Sequence, residues 1–90
     1  QWEVRSMAAK ALGRLRDADA AGPLHASLTD PAWWVRYNAA QALYDIGEPG
    51  IGLLQAASAD HVDRFARDIS RQMLEEHART GVRAGEPMWS

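Results

Sequence analysis

The chain has 90 residues, ten lysines and arginines against twelve acidic residues, a formal charge of -2 and no cysteine. This near balance removes the long-range field that would draw it onto a phosphate backbone, and the missing cysteine excludes a disulfide framework, a thiol nucleophile and cysteine-type zinc sites. Its 47% hydrophobic content suffices for one small core, and no apolar run approaches the roughly 18–20 residues that span a bilayer.

Taken in order, Trp2 to Leu15 carries Val4, Ala8, Ala11, Leu12 and Leu15 at steps of three and four, the stripe of an amphipathic helix. A turn at Arg16 to Ala18 leads into a shorter helix ending near Leu28, with Asp17 or Asp19 as N-cap, Pro23 in the first turn, and Ala20 or Ala21, Leu24 and Leu28 as its apolar face. Thr29-Asp30-Pro31 ends that helix and starts a third, Trp33 to Ile46, whose stripe is Val35, Ala39, Ala42, Leu43 and Ile46. Gly47-Glu48-Pro49-Gly50 breaks the chain before a short helix from Ile51 to Ala59 anchored by Leu54. Asp60 is expected to cap a fifth helix with the stripe Phe65, Ile69, Met73 and Leu74, ending near His77 to Thr80, and residues 81–90 read as a frayed tail.

The first and third helices are copies: Trp2-Glu3-Val4-Arg5 through Leu12 recurs 31 residues later as Trp33-Trp34-Val35-Arg36 through Leu43. Such a period marks stacked supersecondary units. The fold expected is all-α, an α-solenoid of antiparallel helix hairpins in the order long, short, long, short, long. Residues 1–80 form one domain, divided into a half repeat (1–16) and repeats 17–46 and 48–79. Beginning inside the first copy and without Met, the sequence reads as a fragment of a longer array. Its compartment stays open with the cytoplasm favoured, and an anchor could lie outside the fragment.

The pattern Val-Arg-x-x-Ala-Ala-x-Ala-Leu, then a Gly or Pro break, a short Ala/Leu helix and an Asp-Pro entry, resembles the bacterial HEAT repeats related to those of phycobilin lyases. It is carried by Val4, Arg5, Ala8, Ala9, Ala11, Leu12 and Gly13, by Leu24, Leu28, Asp30 and Pro31, and by Val35, Arg36, Ala39, Ala40, Ala42, Leu43 and Ile46 to Gly50. The resemblance implies that the second helix of each hairpin lines a concave face. It also implies a structural ladder in which a turn Asp and an Arg six residues later link neighbouring units. Asp30 and Arg36 match that spacing, Arg5 reads as an earlier rung whose Asp lies outside the chain, and Ala66 six residues after Asp60 implies that the ladder stops there. A chromophore-attachment or enzyme-accessory role is the alternative, a weak one because a fold alone does not carry function.

With the stripe of the third helix inward, Trp34, Tyr37, Asn38, Gln41 and Asp45 fall on its other face; the period adds Glu3, Met7 and Lys10 on the first long helix, and an offset of 30, at which Phe65, Ile69 and Met73 keep the apolar spacing, adds Arg64, Arg67 and Arg71 on the last. Trp and Tyr are enriched at binding hot spots. The expected activity is therefore protein or peptide binding on the concave face by Trp34, Tyr37, Asn38, Gln41, Lys10, Arg64, Arg67 and Arg71, with an acidic partner favoured by the arginines. Trp33, matched by Trp2, reads as a packing residue at the hairpin entrance. Nucleic-acid binding through the arginine edge is the lesser alternative. No catalytic residue, metal or cofactor is expected: His25, His61 and His77 stand apart in sequence, and the serines have no neighbouring base. The last long helix looks like a polar end cap, whereas Trp2, Val4, Met7 and Ala8 have no capping partner, an expected site of self-association.

Overall fold

The computed structural model describes residues 1–80, and its regular elements are helices: α1 Trp2–Leu15, α2 Ala21–Ala26, α3 Trp33–Ile46, α4 Gly50–Asp60 and α5 Arg64–Thr80. Short 3₁₀ turns at Ala18–Ala20 and Ser27–Thr29 lengthen α2 at both ends. The tail expected over 81–90 lies outside the described residues.

The three long helices lie side by side in one layer, with α3 between α1 and α5; in a second layer α2 rests on α3, and α4 rests on α5 and α3. Leu24 and Leu28 from the short layer, Ala39, Ala42 and Leu43 of α3, Leu54 of α4, and Ile69 and Met73 of α5 all belong to one continuous core. Burying each large side chain of this kind contributes about 1.5–3 kcal/mol. Tight turns are made by local chemistry. Asp17 accepts the Asp19 N–H to open the first 3₁₀ turn. Gly47 closes α3 at a φ of 80°, a left-handed conformation that glycine adopts without steric cost.

Three expectations are corrected. On α1, Val4 and Leu15 are 70% and 72% exposed, and Ala8 and Ala11 are exposed as well; the residues it buries are Ser6, Ala9 and Gly13. The expected stripe is the face that the short layer covers on α3, whereas α1 packs sideways on α3. On α5 the buried positions are Ala66, Ile69, Ser70, Met73 and His77, and Phe65 is 55% exposed. The true offset is 31, which aligns Val35 with Ala66 and Trp34 with Phe65. Asp60 is the last residue of α4, and the cap of α5 is Asp63, whose Oδ1 accepts the Ala66 N–H at 3.1 Å.

The α1–α3 contact is close enough to demand a missing side chain. A Cβ on Gly13 would stand 2.7 Å from both the Cα and the Cβ of Ala42. Ser6 and Asn38 face each other one crossing earlier, the Asn38 amide donating to the Ser6 hydroxyl.

The ladder is present with different wiring. Arg5 pairs with Asp30 itself, through Nε to Oδ2 at 2.7 Å and Nη2 to Oδ1 at 3.1 Å, so its aspartate is within the chain. Asp30 Oδ1 also accepts the Ala32 N–H, and the Arg5 guanidinium holds this carboxyl below the ordinary aspartate range. Arg36, buried, turns back on its own turn and donates from Nη1 to the carbonyls of Asp30 and Pro31 at 2.8 and 3.2 Å. The same device recurs 31 residues later: Arg67 Nη1 donates to the carbonyl of His61 at 2.8 Å, and His61 Nδ1 accepts the Asp63 N–H as Asp30 accepts that of Ala32. The grip of the arginine on its own turn thus recurs beyond Asp60 with His61 in the aspartate's place, whereas the ion pair between units is not repeated among the described residues.

Two measurements check this reading. Gly13→Val should lower the unfolding free energy by about 1–3 kcal/mol through overpacking, while Gly22→Ala, on an exposed helical site with nothing within 4 Å of the new Cβ, should raise it by about 0.5–1 kcal/mol. In denaturant titrations Arg36→Gln should cost about 1.5–3 kcal/mol, because a buried arginine is lost and part-buried turn carbonyls lose a charged donor. Arg5→Gln, at an exposed pair screened by water, should shift the midpoint far less.

Candidate functional site

Pro31 and the Asp30–Ala32 turn set the entry of α3, and the two residues that follow project into solvent. Trp33 is 41% exposed and Trp34 53%. They form a cluster with Tyr37: Trp33 stacks on the Tyr37 ring with centroids 5.0 Å apart, and Trp34 sets its edge against Trp33 at 4.9 Å. The Tyr37 hydroxyl donates to Glu76 Oε1 at 3.1 Å, tying the cluster to α5. Burial pushes the Tyr37 phenol up, and that bond to Glu76 adds to the shift.

Beside the cluster, between the first turns of α3 and α5, runs a groove of about 230 Å³ lined by Trp33, Arg36, Phe65, Asp68, Ile69 and Gln72. The Arg36 guanidinium lies 4.5 Å from the centre of the Phe65 ring. Cation–π contact and the turn carbonyls together lock this arginine in place. Its Nη1 is spent on the carbonyls, whereas Nε and Nη2 make no hydrogen bond among the described residues. The groove therefore offers two aromatic walls, an aliphatic floor from Ile69, and fixed cationic N–H groups, an arrangement suited to an apolar side chain flanked by a carbonyl or carboxylate.

Other residues singled out from the sequence are placed differently. Asn38 and Gln41 are half-buried links within and between helices: Asn38 donates to Ser6, and Gln41 Nε2 donates to Asp45 Oδ1 at 3.0 Å and lies 3.2 Å from His77 Nε2. Lys10 is exposed on α1. The expected arginine row is not assembled. Arg64 stays exposed beside Asp68 at 3.6 Å, Arg67 holds the turn carbonyls, and Arg71 donates to the Ser58 carbonyl at 3.3 Å on the α4 side. Trp33 packs on Tyr37 as an entrance residue would, yet remains open to solvent. Reading by period could have found Phe65, had the third copy been aligned at 31.

The histidines are less isolated than their spacing suggests. The rings of His25 and His61 are 5.5 Å apart, but His61 Nδ1 is occupied by the Asp63 N–H. His77 is buried against Tyr44, centroids 3.7 Å apart and planes 8° from parallel. Burial pushes its pKa down, opposed by Asp45 and Glu76. Burial also pushes the Asp45 carboxyl up, opposed by Gln41 and by the charges of His77 and Arg16. Among the described residues no group of three histidines or carboxylates is arranged to hold a metal ion, and no helix is long and apolar enough to cross a membrane.

In comparison with known proteins, the family model for HEAT repeats matches residues 1–75. No curated protein and no solved structure matches the chain.

The His77 environment gives a pH dependence. A histidine whose folded pKa lies below its unfolded value adds stability that is complete above about pH 6.5 and declines as pH falls below it, because the unfolded chain takes the proton first. The unfolding free energy should accordingly decrease from pH 7 towards 5, before any relief that Asp45 gains by protonation. His77→Phe, which keeps an aromatic against Tyr44, should flatten that decline in melts taken across the range.

Proposed function

The chain belongs to the HEAT-repeat family, and on that premise we propose that it is an interaction module binding a peptide or protein segment at the aromatic groove between α3 and α5. Repeats of this family generally mediate protein–protein interaction, and the family is typically a non-enzymatic scaffold. The single observation that carries the location is a position in the repeat. Glu3, Trp34 and Phe65 occupy equivalent places at the 31-residue offset, and all three are exposed. A site that every copy leaves in water has no packing need for a large aromatic, yet two of the three carry one.

In this reading Trp33, Trp34 and Phe65 are the contact residues and Tyr37 buttresses them. Arg36 supplies hydrogen bonds to the partner's backbone or carboxylate, with Arg64 at the rim. Asn38 and Gln41 hold helices together, and Lys10 is a peripheral contact. Aromatic walls bind by desolvating large area with little loss of rotamer freedom. With Arg67 and Arg71 turned away, the groove asks for an apolar side chain beside an acceptor, and a strongly acidic partner is not required. The proposed division of the chain is a half repeat over 1–16 and repeats over 17–46 and 48–79.

Peptides selected from a random display library on the purified chain test this proposal. Trp34→Ala and Phe65→Ala should each weaken the selected peptides at least ~10-fold, corresponding to about 1.4 kcal/mol; Trp34→Ala should leave helicity and melting temperature unchanged, while Phe65→Ala, which also removes the ring over Arg36, should keep helicity and lower the melting temperature slightly. Binders indifferent to both substitutions would place the interaction elsewhere.

A further inference from the structure

Arg5 and Arg36 are equivalent at the 31-residue offset, and each uses a different edge of its guanidinium. Arg5 grips the Asp30 carboxylate with two prongs, Nε to Oδ2 at 2.7 Å and Nη2 to Oδ1 at 3.1 Å. Arg36 directs Nη1 at the carbonyls of Asp30 and Pro31, and the Nε–Nη2 edge that its sister sets on a carboxylate makes no hydrogen bond among the described residues. One repeat on, the place of Asp30 is taken by His61, whose Nδ1 is occupied by the Asp63 N–H, so that turn has no anion to give. Arg36 is only 8% exposed and lines the groove beside Trp33, Phe65 and Ile69. Its charge is met by neutral carbonyls and the face of a ring, and among the described residues no carboxylate pairs with it. The planar fork that remains matches the two oxygens of a carboxylate.

The rest of the groove restricts where that carboxylate comes from. Gln72 donates from Nε2 to Glu76 Oε2 at 3.0 Å, which leaves its Oε1 as an acceptor. Asp68, with the Arg64 guanidinium at 3.6 Å, is a second acceptor on the same helix. About 230 Å³ thus combines a two-pronged donor, two acceptors and an apolar lining. The last residue of a polypeptide carries the matching groups on a single Cα: a carboxylate, a backbone N–H and a side chain. An internal residue offers one carbonyl oxygen, which fills one prong. An internal Asp or Glu spends its side chain on the arginine and leaves the apolar lining empty.

Taking the groove as the binding site, a premise that rests on the function proposed above, we infer that its occupant is the free C-terminus of a partner polypeptide. The terminal carboxylate sits on Arg36 Nε and Nη2, an apolar last side chain packs against Trp33, Phe65 and Ile69, and the last backbone N–H meets Gln72 Oε1 or Asp68.

The test displays random octapeptides with their C-termini free and resynthesises those that bind the 90-residue chain. The selected peptides should end in an apolar residue. Amidation of the C-terminus, or one glycine appended to it, should each weaken binding at least ~10-fold. Arg36→Lys, which keeps a cation on the turn carbonyls but has no second prong, should erase the preference for acid over amide. The comparison on the unaltered chain stands whether or not that variant folds. Peptides that lose affinity on Trp34→Ala and Phe65→Ala but bind equally as acid and amide overturn the terminal carboxylate and leave the groove as the site. Peptides that need an internal Asp or Glu instead of the terminus overturn it as well, and so does a library from which nothing is selected. Binding indifferent to both alanine substitutions overturns the groove itself, and this inference with it.

Discussion

The molecule depends on the burial of a single alanine-rich helix from three sides. α3 shares a core with the short layer through Ala39, Ala40, Ala42 and Leu43, and meets α1 through Asn38 and Ala42 and α5 through Arg36, Tyr37, Gln41 and Tyr44. Three-sided burial is feasible because Ala39, Ala40 and Ala42 are small enough for neighbouring backbones to come close. Gly13 takes that logic to its limit, as no Cβ fits opposite Ala42. Small residues lose little side-chain entropy on folding, which helps a domain of this size, whose core is a limited source of stability.

Asp30 is where the vertical and horizontal order of the stack meet. One carboxylate organises its own turn through the Ala32 N–H and receives the arginine of the neighbouring helix, while its backbone carbonyl is held by Arg36. Each half can change without the other. At the next turn His61 keeps the cap by accepting the Asp63 N–H, and Arg67 keeps its grip on the carbonyls, but no anion is left for Arg36. Phe65 takes that role with the face of its ring. A weakly polar contact in place of an ion pair costs little at a site where the charge is already satisfied by carbonyls.

Helix order and the bounds of α1 and α3 were legible because period and punctuation agree: three- and four-residue apolar steps between Asp-Pro and Gly-Pro breaks. What misled was the assumption that an apolar stripe faces a core. Periodicity reports which face of a helix is apolar; whether something covers it depends on the neighbours, and α1 has a long helix beside it without a short one above. The candidate surface was half legible for a related reason. Trp34 could be read as outward because its counterpart is Glu3, whereas Asn38 and Gln41 were also read as outward and instead bond across helix contacts. Amides serve both solvent and interface, and only the neighbouring helices decide which. Phe65 was lost to an offset one residue short, since a single step on a helix turns the side chain by a quarter of the circumference or more.

The repeat separates two kinds of exposed apolar residue that a surface map would merge. Val4 and Leu15 occupy positions that the sister helix buries or half-buries, and they are exposed because no short helix lies over α1 among the described residues. Trp34 and Phe65 occupy a position that no copy buries, and a glutamate fills it in the first copy. A residue in the first class is constrained by the architecture to be aliphatic or small, whatever the array binds. Residues in the second class are not fixed by the core: the first copy carries a glutamate there, although in the third copy Phe65 has taken on a contact with Arg36. Two adjacent copies carry aromatics at this position, with the guanidinium of Arg36 between their helices, and it is this coincidence on which the proposed recognition site rests.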